Sequence, residues 1–232
     1  NGQTLAAGAD PLLTAFARAA YWCNDARLHE QEGQWCTEGD PMEGALLALA
    51  GKISGQGGQA FGGHTRLDAV PFDAAHRYMA VLSLDSDGLP HIYVKGAPEA
   101  LLAMCAQQRT PEGNAPLDAD YWLQQVEKLA EKGRRVLAVA ERAAAAGQTA
   151  LSSADIAQSL QFIGLVGLID PPRAEAVAAV QQCREAGIQV KMITGDHAAT
   201  ARAIAREIGL THTDNVLTGN DLDFIDDAGL AG

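Results

Sequence analysis

Residues 188–210 constrain the fold more than any other stretch, because a strand pattern and a helix pattern meet there around one short turn. Residues 188–193 form a short, mostly apolar run with β-branched residues, which is typical of a buried strand. The residues beyond the turn repeat small and apolar side chains at helical spacing: Ala201, Ile204, Ala205 and Ile208. The stretch therefore predicts a strand followed directly by a helix.

The turn between them contains Thr194, Gly195 and Asp196. In an open α/β sheet, ligands bind beyond the carboxyl ends of the strands, where a helix N-terminus presents free N–H groups to an anion. A hydroxyl, a glycine and a carboxylate at this place suit phosphate chemistry. A second interpretation is that Asp196 only caps its helix. The turn alone does not decide between the two.

A second strand pattern precedes the first, in residues 162–169, and stops at Asp170. Pro171 then suits the first position of a helix, because a proline there loses no hydrogen bond. The apolar face of this helix contains Ala176, Val177, Val180 and Cys183. Strand, helix, strand and helix follow one another within about 50 residues, so the pattern predicts a βαβα unit with parallel strands.

Two motifs in this part of the chain resemble a known family. Asp-Pro-Pro-Arg at residues 170–173 and Met-Ile-Thr-Gly-Asp at residues 192–196 resemble the phosphorylation domain of P-type cation-transporting ATPases. The resemblance implies part of a Rossmann-like, haloacid-dehalogenase-like α/β fold. It also implies that Thr194, Gly195 and Asp196 contact phosphate in the catalytic site, and that Arg173 closes a hinge motif.

Composition limits the other classes of protein. The hydrophobic content of 47% and charged content of 20% are those of a globular chain. The net charge of −12 argues against a nucleic-acid partner. No apolar run is long enough to span a bilayer, and no signal peptide is visible. The four cysteines lack zinc-ligand spacing, so a zinc site is not expected. Because the sequence begins at Asn1 without a methionine, we expect a fragment.

Residues 1–160 predict a different architecture. Helices are expected after Asp10-Pro11 and after Asp40-Pro41, and a short hairpin in residues 27–37. Residues 78–84 and 89–95 predict a second hairpin, because Asp-Gly at residues 87–88 favours a tight turn. Residues 109–116 contain two prolines and a glycine and predict a loop. We therefore expect an α+β domain, an antiparallel sheet with flanking helices, in residues 1–160, followed by the partial βαβα unit in residues 161–232.

Four segments of residues 1–160 resemble, in order, the nucleotide-binding domain of the same P-type ATPase family. They are Gly-Asp-Pro-Met-Glu-Gly-Ala-Leu-Leu at 39–47, Pro-Phe-Asp-Ala-Ala-His-Arg-Tyr-Met at 71–79, Lys-Gly-Ala-Pro-Glu at 95–99 and Gly-Arg-Arg-Val-Leu-Ala-Val-Ala at 133–140. With the two later motifs, the resemblance covers residues 10–210 and looks closest to the calcium-pump branch.

The resemblance assigns roles around the adenine ring. Phe72 is expected to stack on the ring, and an aromatic face supplies suitable apolar area. The alternative for Phe72 is a core position on a strand. Lys95, beside Gly96, is expected in the adenine pocket, and Glu43 is expected to accept from the adenine amino group. A Glu at the third helical position also suits a capping box, so both interpretations of Glu43 stay open.

Two cationic positions are expected nearer the phosphates. Arg77 occupies a place where relatives carry a cationic residue, often lysine, so its direct contact is left open. Arg135 resembles the arginine that bridges ribose and phosphates, although the assignment can shift by one residue to Arg134. Together with Glu43, Phe72, Lys95 and Gly96, Arg77 and Arg135 complete the predicted nucleotide site.

The family works by attack of an aspartate on Mg-ATP, which gives an aspartyl-phosphate that drives ion movement. The nucleophile's Asp-Lys-Thr-Gly-Thr motif and the later Mg²⁺-holding Gly-Asp-Gly-x-Asn-Asp motif are both absent from this sequence. We therefore expect an ATP-binding fragment from the cytoplasmic part of an integral membrane cation pump. Its partners would be ATP or ADP and the phosphorylation, actuator and transmembrane parts of the same chain, with Mg²⁺ held mainly by those parts. The alternative is a stand-alone, non-catalytic nucleotide-binding regulator.

Overall fold

The computed structural model describes residues 8, 10–55, 61–157, 159–169, 172–195 and 198–222. The helices are α1 Pro11–Trp22, α2 Pro41–Ser54, α3 Pro98–Met104, α4 Ala119–Ala130, α5 Ser153–Ile156, α6 Ala174–Glu185, α7 Ala198–Glu207 and α8 Gly219–Leu222. The strands are β1 Arg27–Gln31, β2 Gln34–Glu38, β3 Thr65–Asp73, β4 Tyr78–Leu84, β5 Pro90–Gly96, β6 Cys105–Thr110, β7 Gly113–Pro116, β8 Arg135–Ala143 and β9 Leu160–Leu168.

The chain divides into two compact units. The first contains Asn1–Leu123 and Val136–Leu168, and the second contains Gln124–Arg135 and Ile169–Gly232. The first unit is built on a seven-stranded sheet of order β3-β4-β5-β8-β9-β6-β7, with β1 and β2 as a separate two-stranded hairpin. A sheet with flanking helices agrees with the α+β class that the sequence predicts, although this sheet is mixed.

Apolar side chains bury both faces of this sheet. Along β4, Tyr78 and Leu82 point into a cluster with Leu101 of α3 and Phe162 of β9. The intervening residues of β4 point the other way, into a cluster with side chains of α1 and α2: Met79 and Val81 pack with Phe16, Trp22 and Leu46. A strand that is apolar along its whole length is expected where both faces of a sheet are covered.

Short-range signals produced the predicted helix starts and turns. Asp10 and Asp40 cap α1 and α2, and each carboxylate accepts hydrogen bonds from two backbone N–H groups of the first turn. The β1–β2 hairpin is present. The β4–β5 hairpin forms across residues 85–89, with Gly88 at a φ of 76° and Asp85 accepting from the N–H groups of Asp87 and Leu89. These predictions are confirmed.

The loop predicted for residues 109–116 is wrong, because the end of β6 and the whole of β7 pair there as an antiparallel hairpin. Gly113 has a φ of 122°, which lets the chain reverse immediately before β7. Pro116 ends β7 at the edge of the sheet, where a missing N–H costs no ladder hydrogen bond. The prolines therefore mark the turn and the edge of a hairpin.

The expectation of a purely antiparallel sheet is also wrong. β9 pairs parallel to β6 and lies between β6 and β8 in the sheet of the first unit. Leu160 and Phe162 are almost fully buried, and Ile163 is 6% exposed on the opposite face. A run that is apolar on both faces suits such a central position, so this strand joins the mixed sheet.

The strand predicted at residues 188–193 is not formed. Residues 188–194 have no strand pairing, and Ile188 and Ile193 are 58% and 98% exposed. An extended segment needs a neighbouring strand for its backbone N–H and C=O groups, and no strand is described beside this one. The Rossmann-like, haloacid-dehalogenase-like βαβα unit is therefore not confirmed. Two helices form in this part of the chain, but α6 begins at Ala174 and buries none of its residues, so the prediction of a buried apolar face is wrong, and Asp170 and Pro171 lie outside the described residues. The assignment of residues 1–160 and 161–232 to two functional domains stays a prediction.

Candidate nucleotide-binding site

Lys95 and Glu43 form the centre of the candidate site. Lys95 is the second-last residue of β5, and its Nζ donates to Oε1 of Glu43 in the first turn of α2. The side chains are 8% and 16% exposed. Two opposite charges, largely removed from water, are stable only when they are paired and hydrogen-bonded. The pair therefore fixes both side chains relative to each other.

The second carboxylate oxygen of Glu43 is held by backbone. Its Oε2 accepts from the N–H groups of Asp25 and Ala26, both at 3.0 Å. The N-cap role at α2 belongs to Asp40, whose Oδ1 accepts from Met42 N at 2.8 Å and from Glu43 N at 3.1 Å. The Glu43 carboxylate thus reaches across to the turn before β1. In a capping box it would instead accept from the backbone N–H of Asp40, at the start of its own helix.

A buried thiol lies near Lys95. The neighbours of Lys95 across the sheet are Met79 on β4 and Val139 on β8. On the same side of the sheet, Cys23 is fully buried and its Sγ donates to the Met79 carbonyl oxygen at 3.5 Å. Burial raises the pKa of the Cys23 thiol to about 12, against the opposing effect of the Lys95 charge. The thiol is therefore neutral, and Glu43 remains the anion that compensates Lys95.

Phe72 is a surface residue, 64% exposed on β3. β3 is an edge strand, and its pairing with β4 is irregular between Val70 and Asp73. Such an irregularity bends a strand and redirects its side chains. The interpretation of Phe72 as a core residue is wrong, and its ring face is open to a planar ligand.

Gly96 and Arg77 meet at the backbone where β4 begins. A Cβ atom on Gly96 would lie 2.4 Å from the Arg77 carbonyl oxygen and 2.7 Å from Tyr78 Cα, so only glycine fits there. Arg77 has a φ of 60°, which is uncommon for a residue with a side chain, and its carbonyl accepts from Ala97 N at 2.9 Å. The Arg77 side chain is exposed. Packing alone therefore explains Gly96, and its contact with nucleotide stays a prediction.

Arg134 and Arg135 belong to the second unit. Arg135 is exposed and begins β8, whereas Nε of Arg134 is buried and makes no hydrogen bond among the described residues. The Arg134 carbonyl accepts from the buried hydroxyl of Thr200 on α7 at 3.1 Å, which fixes this backbone. Which of the two arginines serves a nucleotide stays a prediction.

The predicted phosphate turn also lies in the second unit. Thr194 and Gly195 are exposed, without helix or strand structure, and Asp196 lies outside the described residues. Arg173 precedes α6 and is exposed. In the part of the chain that the structure describes, no three His, Cys, Asp or Glu side chains are grouped to hold a metal ion. Among those residues, no helix has the length and apolarity that crossing a membrane requires.

Comparison with known proteins defines the class to which this arrangement belongs. Residues 12–175 match the family model of the P-type ATPase cytoplasmic domain N. That match covers most of the chain and includes Glu43, Phe72, Arg77, Lys95 and Arg135. The chain therefore belongs to the P-type cation-transporting ATPases.

Curated relatives agree with this assignment. The chain is 43% identical over 204 residues to the cation-transporting ATPase pma1 of Synechocystis sp., covering 88% of this chain and 22% of the relative. It is 40% identical over 206 residues to the probable cation-transporting ATPase F of Mycobacterium tuberculosis, covering 86% and 22%. It is 36% identical over 192 residues to a calcium-transporting ATPase of Bacillus subtilis, covering 81% and 21%. The chain spans about a fifth of the length of these relatives.

Sequence reasoning missed the turn that holds Glu43. Asn24, Asp25 and Ala26 follow α1 and contact Glu43 through two backbone N–H groups and one side-chain amide. The only local signal was an Asn-Asp pair directly after a helix, which is typical of a turn. The contact between Asn24 and Glu43, which lie 19 positions apart, depends on the packing of α1 against α2.

Proposed function

We propose that this chain is the nucleotide-binding part of an ATP-driven cation pump, and that it binds ATP or ADP. The buried Lys95–Glu43 pair is the observation that carries the proposal. An ammonium group and a carboxylate held side by side offer a donor and an acceptor in fixed positions. The exposed face of Phe72 adds an apolar surface for a purine ring.

Each residue has one role in this proposal. Phe72 stacks on the adenine ring, Glu43 accepts from the adenine amino group, and Lys95 lines the adenine pocket beside Gly96. A carboxylate has about four lone-pair sites, and the three donors already on Glu43 leave one of them for the amino group. Arg77 and Arg135 supply positive charge for the ribose and phosphates.

The wider activity is proposed from the family. In the parent protein, bound Mg-ATP would supply the phosphoryl group of an aspartyl-phosphate that drives cation transport across a membrane. Thr194, Gly195 and Asp196 would contact phosphate in that reaction, and Mg²⁺ would be held mainly by other parts of the protein. We propose that the chain works on the cytoplasmic side, with the phosphorylation, actuator and transmembrane parts as partners and no nucleic acid.

Nucleotide titration followed by backbone amide shifts tests the site. We expect weak binding, roughly high micromolar to millimolar, because few contacts reach the γ-phosphate and each tenfold in affinity needs about 1.4 kcal/mol. Signals of residues around Phe72 and Lys95 should move, and Mg²⁺ should change the affinity little. Phe72→Ala and Lys95→Ala should each weaken binding at least about tenfold.

Two exposed residues provide matched controls. Trp35→Ala removes an exposed aromatic ring from β2, and Lys52→Ala removes an exposed cation from α2. Both should bind ATP as the parent does. Unchanged affinity in Phe72→Ala and Lys95→Ala, with correct folding, would show that the nucleotide binds elsewhere.

A labelling experiment tests catalysis. Incubation with radiolabelled ATP followed by acid gel electrophoresis should give no labelled band, because the sequence contains no Asp-Lys-Thr-Gly-Thr nucleophile motif. A hydroxylamine-sensitive band that maps to Asp170 or Asp196 would instead assign the nucleophile to this chain.

A further inference from the structure

We propose that Asn24 is a positioning residue that orients the Glu43 carboxylate and so sets the preference of the site for adenine over bases without a 6-amino group. The proposal rests on the proposed function, since it assigns a base preference to that nucleotide site. Among the described residues, Asn24 forms no hydrogen bond or ion pair with Lys95 or Phe72.

The side chain of Asn24 joins three backbone segments. Its Nδ2 donates to the Glu43 carbonyl oxygen at 3.1 Å and to the Ala20 carbonyl oxygen at 3.4 Å. Its Oδ1 accepts from Ala26 N at 2.9 Å. One amide group therefore links the end of α1, the first turn of α2 and the turn that leads into β1.

These bonds aim two N–H groups at Glu43. The Ala26 N–H is shared between Asn24 Oδ1 at 2.9 Å and Glu43 Oε2 at 3.0 Å, and the Asp25 N–H donates to the same Oε2. The shared bond places Asn24 Oδ1 and the carboxylate on the same amide. Oε2 is thereby held on the side of the turn, and Oε1 is left to face the Lys95 ammonium. Without Asn24, the turn would lose its side-chain link to the α2 backbone, so the two N–H groups that hold Oε2 would be less closely aimed. Their direction decides where the remaining acceptor of the carboxylate points.

The turn has little freedom once Asn24 is in place. Ala26 is buried, and a Cβ atom at Gly39 would lie only 3.1 Å from Ala26 Cα, so the backbones pass in close contact. Asp25 forms an ion pair with Arg66 of β3. These contacts restrain the turn from two further sides, and Asn24 is the member of it whose side chain connects directly to α2.

Inosine triphosphate distinguishes orientation from general stability. Hypoxanthine carries a carbonyl oxygen where adenine carries the amino group, so a fixed Glu43 carboxylate accepts from ATP and opposes the acceptor of inosine triphosphate. We expect the parent to bind ATP about tenfold more tightly than inosine triphosphate. Asn24→Ala should bring this ratio close to one. A loss of stability alone would weaken both ligands equally and leave the ratio unchanged.

Two further variants complete the test. The serine hydroxyl in Asn24→Ser can still accept from the Ala26 N–H. This variant should therefore discriminate between the two nucleotides more strongly than Asn24→Ala. It also keeps the proposal testable if Asn24→Ala folds poorly. Asn114→Ala, at an exposed position on β7, is the matched control and should keep the parent ratio. Affinities are measured by amide-shift titration at a temperature where circular dichroism shows each variant folded.

The outcomes separate this proposal from the one on which it rests. If the parent binds neither nucleotide, or binds both equally, the proposed function of Glu43 fails. If the parent discriminates and both Asn24 variants keep its full ratio, the nucleotide site stands and the role of Asn24 is refuted. A ratio near one in Asn24→Ala with a partial return in Asn24→Ser supports it.

Discussion

The Lys95 ammonium and the Glu43 carboxylate pair across 52 positions of the chain and connect the end of β5 to the beginning of α2. Each charge is removed from most of its water and compensated by the other, and two backbone N–H groups also hold the Glu43 carboxylate. The pair is therefore both a structural link and a fixed donor and acceptor at the candidate site.

Removing either charge should destabilise the fold. Lys95→Met leaves the Glu43 carboxylate uncompensated, and Glu43→Gln leaves the Lys95 ammonium uncompensated, so each should lower the free energy of unfolding by about 3 kcal/mol. The double variant buries no unpaired charge. Its free energy of unfolding should therefore fall by clearly less than the sum of the two single losses. Urea unfolding of all four proteins measures this coupling.

Lys52→Met is the control for this cycle. Lys52 is exposed in the last turn of α2, so its loss should change the unfolding free energy by less than about 0.5 kcal/mol. If the two single losses simply add in the double variant, the buried pair contributes no coupling, and its description as a structural link is mistaken.

Gly96→Ala should destabilise the protein by at least about 2 kcal/mol, because its Cβ would overlap backbone atoms of Arg77 and Tyr78 that cannot move independently. Gly164→Ala is a matched control at another buried strand glycine. A Cβ there would lie 3.5 Å from Phe16 Cδ2, an ordinary contact, and the change should stay within about 1 kcal/mol. Thermal unfolding of both variants compares them, and equal midpoints would contradict the predicted overlap.

The candidate site shows what sequence can and cannot supply. The Asp40-Pro41 start of α2 was predictable because N-capping depends on neighbouring residues, and it correctly placed Glu43 in the first turn. The contact of Glu43 with Asp25 and Ala26 was not predictable, since it depends on how α1 and α2 pack. Gly96 was noticed as part of a motif, but its physical reason is the register of β4 against β5.

The features of the fold that could and could not be predicted differ for the same reason: local signals were informative and tertiary packing was not. The Asp-Gly turn between β4 and β5 was predictable because a tight turn is specified by its own residues. The position of β9 was not, because an apolar strand pattern does not state which neighbours the strand will choose. Likewise, Pro116 signalled a loop because a proline disfavours strands in general, although the edge of a sheet accepts it.

Alkaline pH should weaken the fold through its buried thiols. Burial raises the pKa of Cys23 and of Cys105 from the ordinary value of 9.0 to about 12. Below pH 9 both states hold these protons. Above pH 9 the thiols of the unfolded chain lose their protons, while those of the folded protein keep them. Deprotonation therefore stabilises the unfolded chain, and the free energy of unfolding falls as pH rises toward 12. Each thiol contributes up to about 1.4 kcal/mol per pH unit.

Cys23→Ala should therefore roughly halve the thiol contribution to this slope, measured by urea unfolding at several values between pH 9 and pH 10. Cys105→Ala should reduce the slope to a similar extent, because burial raises the pKa of the Cys105 thiol in the same way. A slope that is identical in Cys23→Ala and the parent would mean that the Cys23 thiol ionises as readily in the folded protein as in the unfolded chain.

The second unit should open more readily than the first. Ile193 is 98% exposed and Ile188 is 58% exposed, and residues 188–194 lack the strand hydrogen bonds that protect amides. In β4 and β5, by contrast, nearly every amide lies in a paired and buried strand. Hydrogen exchange on a dilute, monomeric sample should therefore be fast in residues 188–195 and slow in residues 78–84 and 90–96.

The protein concentration should change the exchange rate of residues 188–195. Exposed isoleucines favour association, so at high concentration we expect the second unit to be covered by a neighbouring copy and residues 188–195 to exchange more slowly. Ile193→Lys is the test variant, because a charge at this position should prevent the association without removing any buried contact. Leu89→Lys, at another exposed position, is the control and should still show the slowing. Slow exchange of residues 188–195 in the dilute parent would show that this segment is ordered within one chain, and the predicted instability of the second unit would then be wrong.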